Sequence, residues 1–330
     1  MHEMDYRVTA ASGNIEAPIQ GTLVCPHPGG EHRIGYIDWN RDANNGHVLF
    51  CLHGVTRNSR DFDFLARALA NRTRVVSMDY VGHGKSDWLE DTRLYQGTRM
   101  FETCIADTMA VLAHLGIRKA SFIGTSMGGY MAALIACYFP QRTESLIIND
   151  TSPVMEKRYL TFLTKLFSSE VSFSSREVLG QFVRYYLKDW GDIEPHQWDH
   201  LVEHTMRPTS DGGVSISFDR RVMTLPDVWT HIDFSPYWRA LTMPVLILRG
   251  EQSNVLDRPQ FEEMVAYGAN FFGVEFPGCG HAPSLMRADH HATLVAWLDY
   301  IAQREVLPAE LCQPLPGSFL NLFQQPAAAA

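Results

Sequence analysis

No apolar run in the 330-residue chain approaches the ~20 residues that span a bilayer, so the sequence predicts no membrane helix. Positive charge is short too: 28 Lys and Arg stand against 37 Asp and Glu, a net charge of −9. Nucleic acids and anionic membranes both reward basic patches, so neither is expected as a partner. The opening Met1-His2-Glu3-Met4-Asp5-Tyr6-Arg7 lacks the basic-then-apolar order of a secretion signal. The six cysteines (Cys25, Cys51, Cys104, Cys137, Cys279 and Cys312) include no Cys-x-x-Cys pair. Several lie in apolar segments, where a free thiol behaves as a small hydrophobe. A reduced, cytoplasmic compartment is therefore expected. There is no evident internal repeat, and nothing in the sequence asks for a cofactor.

What the chain does have is 45% hydrophobic residues, enough for a sizeable core in one large domain or a domain with an insertion. Strand-like segments run to about Trp39. His47-Val48-Leu49-Phe50-Cys51-Leu52 is continuously apolar, as in a strand covered on both faces. An amphipathic helix follows, with Asp61 as its expected cap and Phe64, Leu65, Ala68 and Leu69 on one face. Arg74–Asp79 reads as another buried strand, Thr103–Leu115 as a long helix, and Glu144–Asp150 as a further strand. This alternation predicts a mostly parallel, doubly wound α/β sheet with helices on both faces. Ligands of such sheets bind beyond the carboxyl ends of the strands. His53, Ser126 and Asp150 all fall there.

From Pro153 to about Trp238 helical patterns dominate and aromatics crowd in, Phe162, Phe167, Phe173, Phe182, Tyr186, Trp190, Phe218 and Trp229 among them. The expected organisation is a core of residues 1–152 and 239–306, a helical lid insertion over 153–238, and a poorly ordered tail over 307–330. Ala327 to Ala330 reads as a cloning remnant. Some of the lid's rings are expected to line a pocket above Ser126.

The centre of the chemistry is Gly124-Thr125-Ser126-Met127-Gly128, where an apolar run meets a small-residue helix. A serine at so tight a strand-to-helix turn needs small neighbours, and the helix aims its free N–H groups at the same point. With His53-Gly54, Gly82-His83-Gly84-Lys85-Ser86 and Gly280-His281-Ala282 in this order, the chain resembles the α/β-hydrolase superfamily from about Tyr36 to Gln303. The resemblance implies the α/β-hydrolase fold with a helical lid, Ser126 as nucleophile and His281 as its base. It also implies an oxyanion hole formed by the backbone N–H groups of Val55 and Met127, and neither cofactor nor metal. A histidine suits the base because its pKa near 6.5 lets it take and return a proton near neutrality. His53 and the turn at Gly82 to Ser86 read as structural.

The third catalytic member departs from the pattern. Many bacterial relatives carry Arg-Gly-x-x-Ser-Asp where this chain has Arg249-Gly250-Glu251-Gln252-Ser253-Asn254, an amide in place of the acid. Three residues then compete to orient His281. Asp150 could supply the carboxylate from the end of its strand. Asn254 could orient the ring without charge, and Asp257 looks more like a helix N-cap. We take Asp150. His196, His200 and His204 recur every four residues, a spacing that can bind metal, but no acidic partner motif accompanies them, so they read as a solvated lid face. The expected function is a serine hydrolase acting on an ester, thioester or lactone of a small, mostly apolar acid. A carbon–carbon hydrolase of the same fold, or a catalytically weak small-molecule receptor, are the alternatives. A small-molecule substrate is the one partner implied, and oligomeric state is left open.

Overall fold

The structure is a computed structural model that describes residues 17–41, 43, 46–69, 72–167, 172–223 and 231–303. The expected tail 307–330, with Cys312 and Ala327 to Ala330, lies outside the described residues, as do Trp229 and the first sixteen residues.

Two antiparallel strands, β1 (Ile19–His27) and β2 (Gly30–Trp39), open the sheet. The alternation then begins: β3 (Val48–Leu52), α1 (Asp63–Ala68), β4 (Arg74–Met78), α2 (Thr98–His114), β5 (Ala120–Thr125), α3 (Met127–Tyr138) and β6 (Thr143–Asn149). Next comes an insertion containing β7 (Val154–Glu156), α4 (Lys157–Phe167), β8 (Ser172–Phe173), α5 (Arg176–Tyr186) and α6 (Pro195–Thr205). It continues through β9 (Met206–Pro208), β10 (Val214–Ile216), β11 (His231–Asp233) and α7 (Ser235–Arg239). The sheet resumes with β12 (Val245–Gly250), α8 (Arg258–Val265), β13 (Phe271–Phe276) and α9 (Ala288–Ala302). Strand order is β1-β2-β4-β3-β5-β6-β12-β13, parallel from β4 onward.

The continuous apolar runs are explained by this architecture, because successive side chains of a strand enter opposite layers. Along β3, Phe50 and Leu52 join the core beneath α2 and α3, while Leu49 and Cys51 join the core beneath α1 and α9. β6 behaves alike, with Leu146 and Ile148 on one side and Ile147 on the other. Cys25, Cys51, Cys104, Cys137 and Cys279 are free and buried within these layers. Among the described residues no helix is long and apolar enough to cross a membrane.

Several local expectations are corrected. Asp61 does not cap α1; a 3-10 turn over Ser59–Phe62 precedes that helix, capped by Asn58, whose side chain accepts from Arg60 N. Asp61 instead binds the buried Arg57 guanidinium, and Ala68 is exposed. α2 begins a turn earlier than expected, at Thr98. The insertion is mainly helical, but it adds two small sheets, β8-β10-β9 and β11-β7, whose strands of two or three residues are too short to leave a period in the sequence. It has a core of its own, in which Phe167, Phe173 and Phe218 pack with Leu179, Val183 and Leu201.

Candidate active site

Ser126 joins β5 to α3 with φ of 54° and ψ of −114°, a left-handed conformation costly for a side-chain residue. It is tolerated because its neighbours let the backbone close up. A Cβ on Gly124 would lie 2.1 Å from Gly128 O, and one on Gly128 would lie 2.0 Å from Leu52 O. Ser126 N donates to Asn149 O at 3.0 Å and Thr151 Oγ1 donates to Ser126 O at 2.8 Å, fixing the turn to the end of β6.

The loop after β13 carries His281 back across the sheet. Gly280 N donates to Asp189 O (2.6 Å), so the insertion helps to hold that loop. His281 Nε2 stands 3.0 Å from Ser126 Oγ, and Nδ1 stands 2.7 Å from Asp150 Oδ2. A carboxylate only accepts, so the proton sits on Nδ1 and Nε2 is free to take one from the serine. Asp150 is fully buried and, like Ser126, has a positive φ, 56°. Its Oδ1 accepts from Gly250 N at 3.1 Å and its Oδ2 accepts from Ser253 Oγ at 2.5 Å. These donors compensate a buried charge that would otherwise be costly.

The three competitors for the acid position therefore separate. Asp150 meets the histidine. Asp257 caps α8, accepting from Gln260 N. Asn254 lies on the pocket wall with its side chain exposed, and it makes no bond to His281 among the described residues. β12 pairs with β6 so that Leu248 faces Asn149, which leaves Gly250 and the following turn against Asp150. Ser253, not singled out by sequence reasoning, occupies the core of that turn. Its hydroxyl also accepts from the backbone N–H groups of Val255 and Leu256. A serine one residue before the displaced acid was the available signal.

On the opposite side of Ser126, the loop after β3 is held by two histidines. His53 is completely buried, and burial, with the neighbouring His83, holds its pKa well below the usual imidazole range. Its Nδ1–H donates to Gly54 O (2.7 Å), and its Nε2 accepts from Tyr80 N (3.1 Å). Arg57 N also donates to Gly54 O, at 3.0 Å. In a trans peptide the N–H points opposite to the preceding C=O, so these two donors set the direction of the Val55 N–H. His83 Nε2 donates to Val55 O at 2.7 Å. Met127 is the first residue of α3, whose leading N–H groups lack intrahelical acceptors.

A cavity of about 270 Å³ opens over Ser126 and His281. Apolar and aromatic side chains make most of its wall, with Tyr95, Phe101 and Tyr130 from the core and Tyr159, Phe162, Tyr186 and Trp190 from the insertion. Of the aromatics expected above the serine, then, some line the cavity, while Phe167, Phe173 and Phe218 are internal packing. Thr56 and Tyr186 share a hydrogen bond of 2.9 Å across the junction. Arg57, Glu156, Asp189 and Asn254 are among the polar points of the wall, with Thr56, Thr125 and Ser152.

Comparison with known proteins places the chain in a family. The profile described as "Alpha/beta hydrolase family" matches residues 48–297. The chain is 31% identical over 284 residues to the 3-hydroxybutyrate-oligomer hydrolase of Cupriavidus necator, covering 82% of this chain and 94% of that one. It is 26% identical over 275 residues to the bifunctional esterase/perhydrolase of Acinetobacter calcoaceticus, covering 78% and 92%. Among solved structures, an alpha/beta hydrolase from Novosphingobium aromaticivorans superposes with a TM-score of 0.74 at 28% identity, over 85% of this chain and 98% of that one.

Proposed function

The chain belongs to the α/β-hydrolase family and is a hydrolase, and on that premise we propose that it cleaves esters of small, mostly apolar acids through an acyl-serine intermediate. The observation that carries this reading is the pair of bonds at His281, one to Ser126 Oγ and one to Asp150. Ser126 Oγ attacks the acyl carbon as its proton passes to His281 Nε2. The N–H groups of Val55 and Met127 bind the oxygen that becomes negative, a contribution worth ~3 kcal/mol per donor. His281 then protonates the departing alkoxide, leaving the acyl group on Ser126. Water, deprotonated by the same nitrogen, attacks the acyl carbon; the acid leaves and the proton returns to Oγ. Asp150 keeps the ring in the required tautomer and stabilises its charged form.

The segment 153–238 serves as the lid, placing Phe162, Tyr186 and Trp190 over the serine. Within the ester class, short oligoesters of a hydroxy acid are the leading substrates. Their repeating ester groups and methyl branches suit an apolar wall with a few polar points, and the Cupriavidus necator relative is named for such a substrate. The receptor alternative loses its motive, because the acid missing at Asn254 is replaced by Asp150.

The test is turnover of p-nitrophenyl esters from acetate to octanoate and of a 3-hydroxybutyrate trimer, together with fluorophosphonate labelling. Short acyl esters and the trimer should be hydrolysed, and Ser126→Ala should abolish both turnover and labelling. A protein that neither turns over any of these nor takes the label at Ser126 would overturn the reading.

A further inference from the structure

The recurring histidines of α6 do not form the solvated face that their sequence suggests. His196 is exposed, but His200 and His204 are partly buried against α1 and the turn before it. His200 Nε2 donates to Arg60 O at 3.0 Å, and Asn58 Nδ2 donates to His204 O at 2.8 Å. The two rings lie edge to face with centroids 4.4 Å apart. The acidic partner absent from the sequence neighbourhood arrives from α1: Asp63, His200 and His204 each offer a ligand atom, all within 4.8 Å of one another.

Asp63 supplies an independent sign that something is missing here. Its side chain is fully buried; Oδ2 is bound by Arg60 and lies 3.3 Å from His200 Nε2, while Oδ1 has no hydrogen-bond partner among the described residues. Buried carboxylate oxygens are ordinarily satisfied, by protein, water or an ion. We propose that Asp63, His200 and His204 form a binding site for a divalent transition-metal ion that fastens α6 of the insertion to α1 of the core.

Two imidazoles and one carboxylate, with water completing a tetrahedron, suit Zn²⁺ or Co²⁺ and do not suit Mg²⁺ or Ca²⁺, which want all-oxygen shells. Ligands ~2.1 Å from one ion stand ~3.4 Å apart, so modest side-chain adjustment closes the cluster. The charges facing the site are Arg57, Arg60, Arg67 and Lys85, all of which oppose a cation, and the carboxylate of Asp61. Arg60 and His200 Nε2 both meet Asp63 Oδ2, the latter at 3.3 Å, so an ion bound through Nε2 would take the place of the His200 bond to Arg60 O. The same segment runs back through Arg57, which binds Thr205 of α6, to the Val55 loop. An ion here would brace the edge of the pocket without touching Ser126.

The experiment titrates Zn²⁺ into the full-length, chelator-treated protein by calorimetry, and Co²⁺ by visible absorption. One ion per chain is expected, with the strong visible bands of tetrahedral Co²⁺ and a rise in Tm of about 5 °C near saturation. Asp63→Asn, which preserves shape, and His204→Gln should each weaken binding at least ~10-fold and abolish the cobalt bands. His196→Gln, one turn away and outside the cluster, should change nothing. Absence of the bands, or binding that survives both ligand substitutions or is lost with His196→Gln, overturns the site. Binding at this cluster with no rise in Tm overturns the fastening.

Discussion

Asp150 and Asn254 show how much depends on single atoms of side chain. The turn after β12 has an amide where the family resemblance leads one to expect an acid, yet His281 still meets a carboxylate, because Asp150 directly follows the last residue of β6. Ser253 and Gly250, from the turn that lost its own acid, donate to that carboxylate. The consequences are opposite for the two positions. Asp150→Asn should lower kcat about 10⁴-fold, since the amide both loses the charge and favours the wrong tautomer. Asn254→Asp should leave kcat within about threefold. Ser253→Ala should lower kcat about 10-fold with KM little changed, the cost of one hydrogen bond to a buried charge that matters most when His281 is protonated. Steady-state kinetics on one p-nitrophenyl ester reads all three, and an Asn254→Asp gain of orders of magnitude would show that the native acid is inadequate.

At the scale of elements, the β5–α3 junction is governed by close approach of backbone. Gly124 and Gly128 allow strand, turn and helix to touch where any side chain would collide with carbonyl oxygens that cannot move. Gly124→Ala should therefore cost about 3 kcal/mol or more in urea unfolding. Gly180 makes the instructive contrast. It lies inside α5, where an added Cβ would meet only Val202 at 3.5 Å, an ordinary contact. Gly180→Ala should stabilise by roughly 0.5–1 kcal/mol, because alanine loses less chain entropy in a helix. The motif Gly-x-Ser-x-Gly was legible in the sequence for this steric reason. The short strands of the insertion were not, since two or three residues carry no measurable period.

For the whole molecule, the packing of layers sets how stability responds to pH. His290, at the start of α9, is fully buried against Phe276, and neither ring nitrogen is bonded among the described residues. Burial lowers its pKa from 6.5 to about 4. A depressed histidine pKa means that the unfolded chain binds the proton first. Its contribution to stability is present above about pH 6.5 and is lost as pH falls toward 4. Urea midpoints measured at pH 7 and pH 5 should fall for the native protein. His290→Leu should reduce that fall by about 2 kcal/mol between pH 7 and pH 5. An unchanged slope would show that the ring is hydrated in solution. The insertion is joined to the core in the same layered way: buried Arg57 binds Asp61 on one side and Thr205 on the other, with its guanidinium over Trp190.

The sequence by itself determined the alternating fold, the strained serine turn and the candidate base. Each of these rests on local necessity: period of apolar residues, room for a strained serine, a titrating ring at a strand end. It also narrowed the acid to three residues and preferred Asp150 among them. Only the tertiary structure brought one of them, Asp150, to the histidine, because the order of strands β6 and β12 decides which turn faces which, and strand order is not written in local pattern. The same reason hid Asp63 from the histidines of α6, and it hid which of the insertion's rings face the cavity. Contacts between residues more than a hundred positions apart are decided by how the layers stack. The opening serine motif could be read from five residues; Asp150, preferred from the sequence among three, meets His281 only because the sheet closes around it.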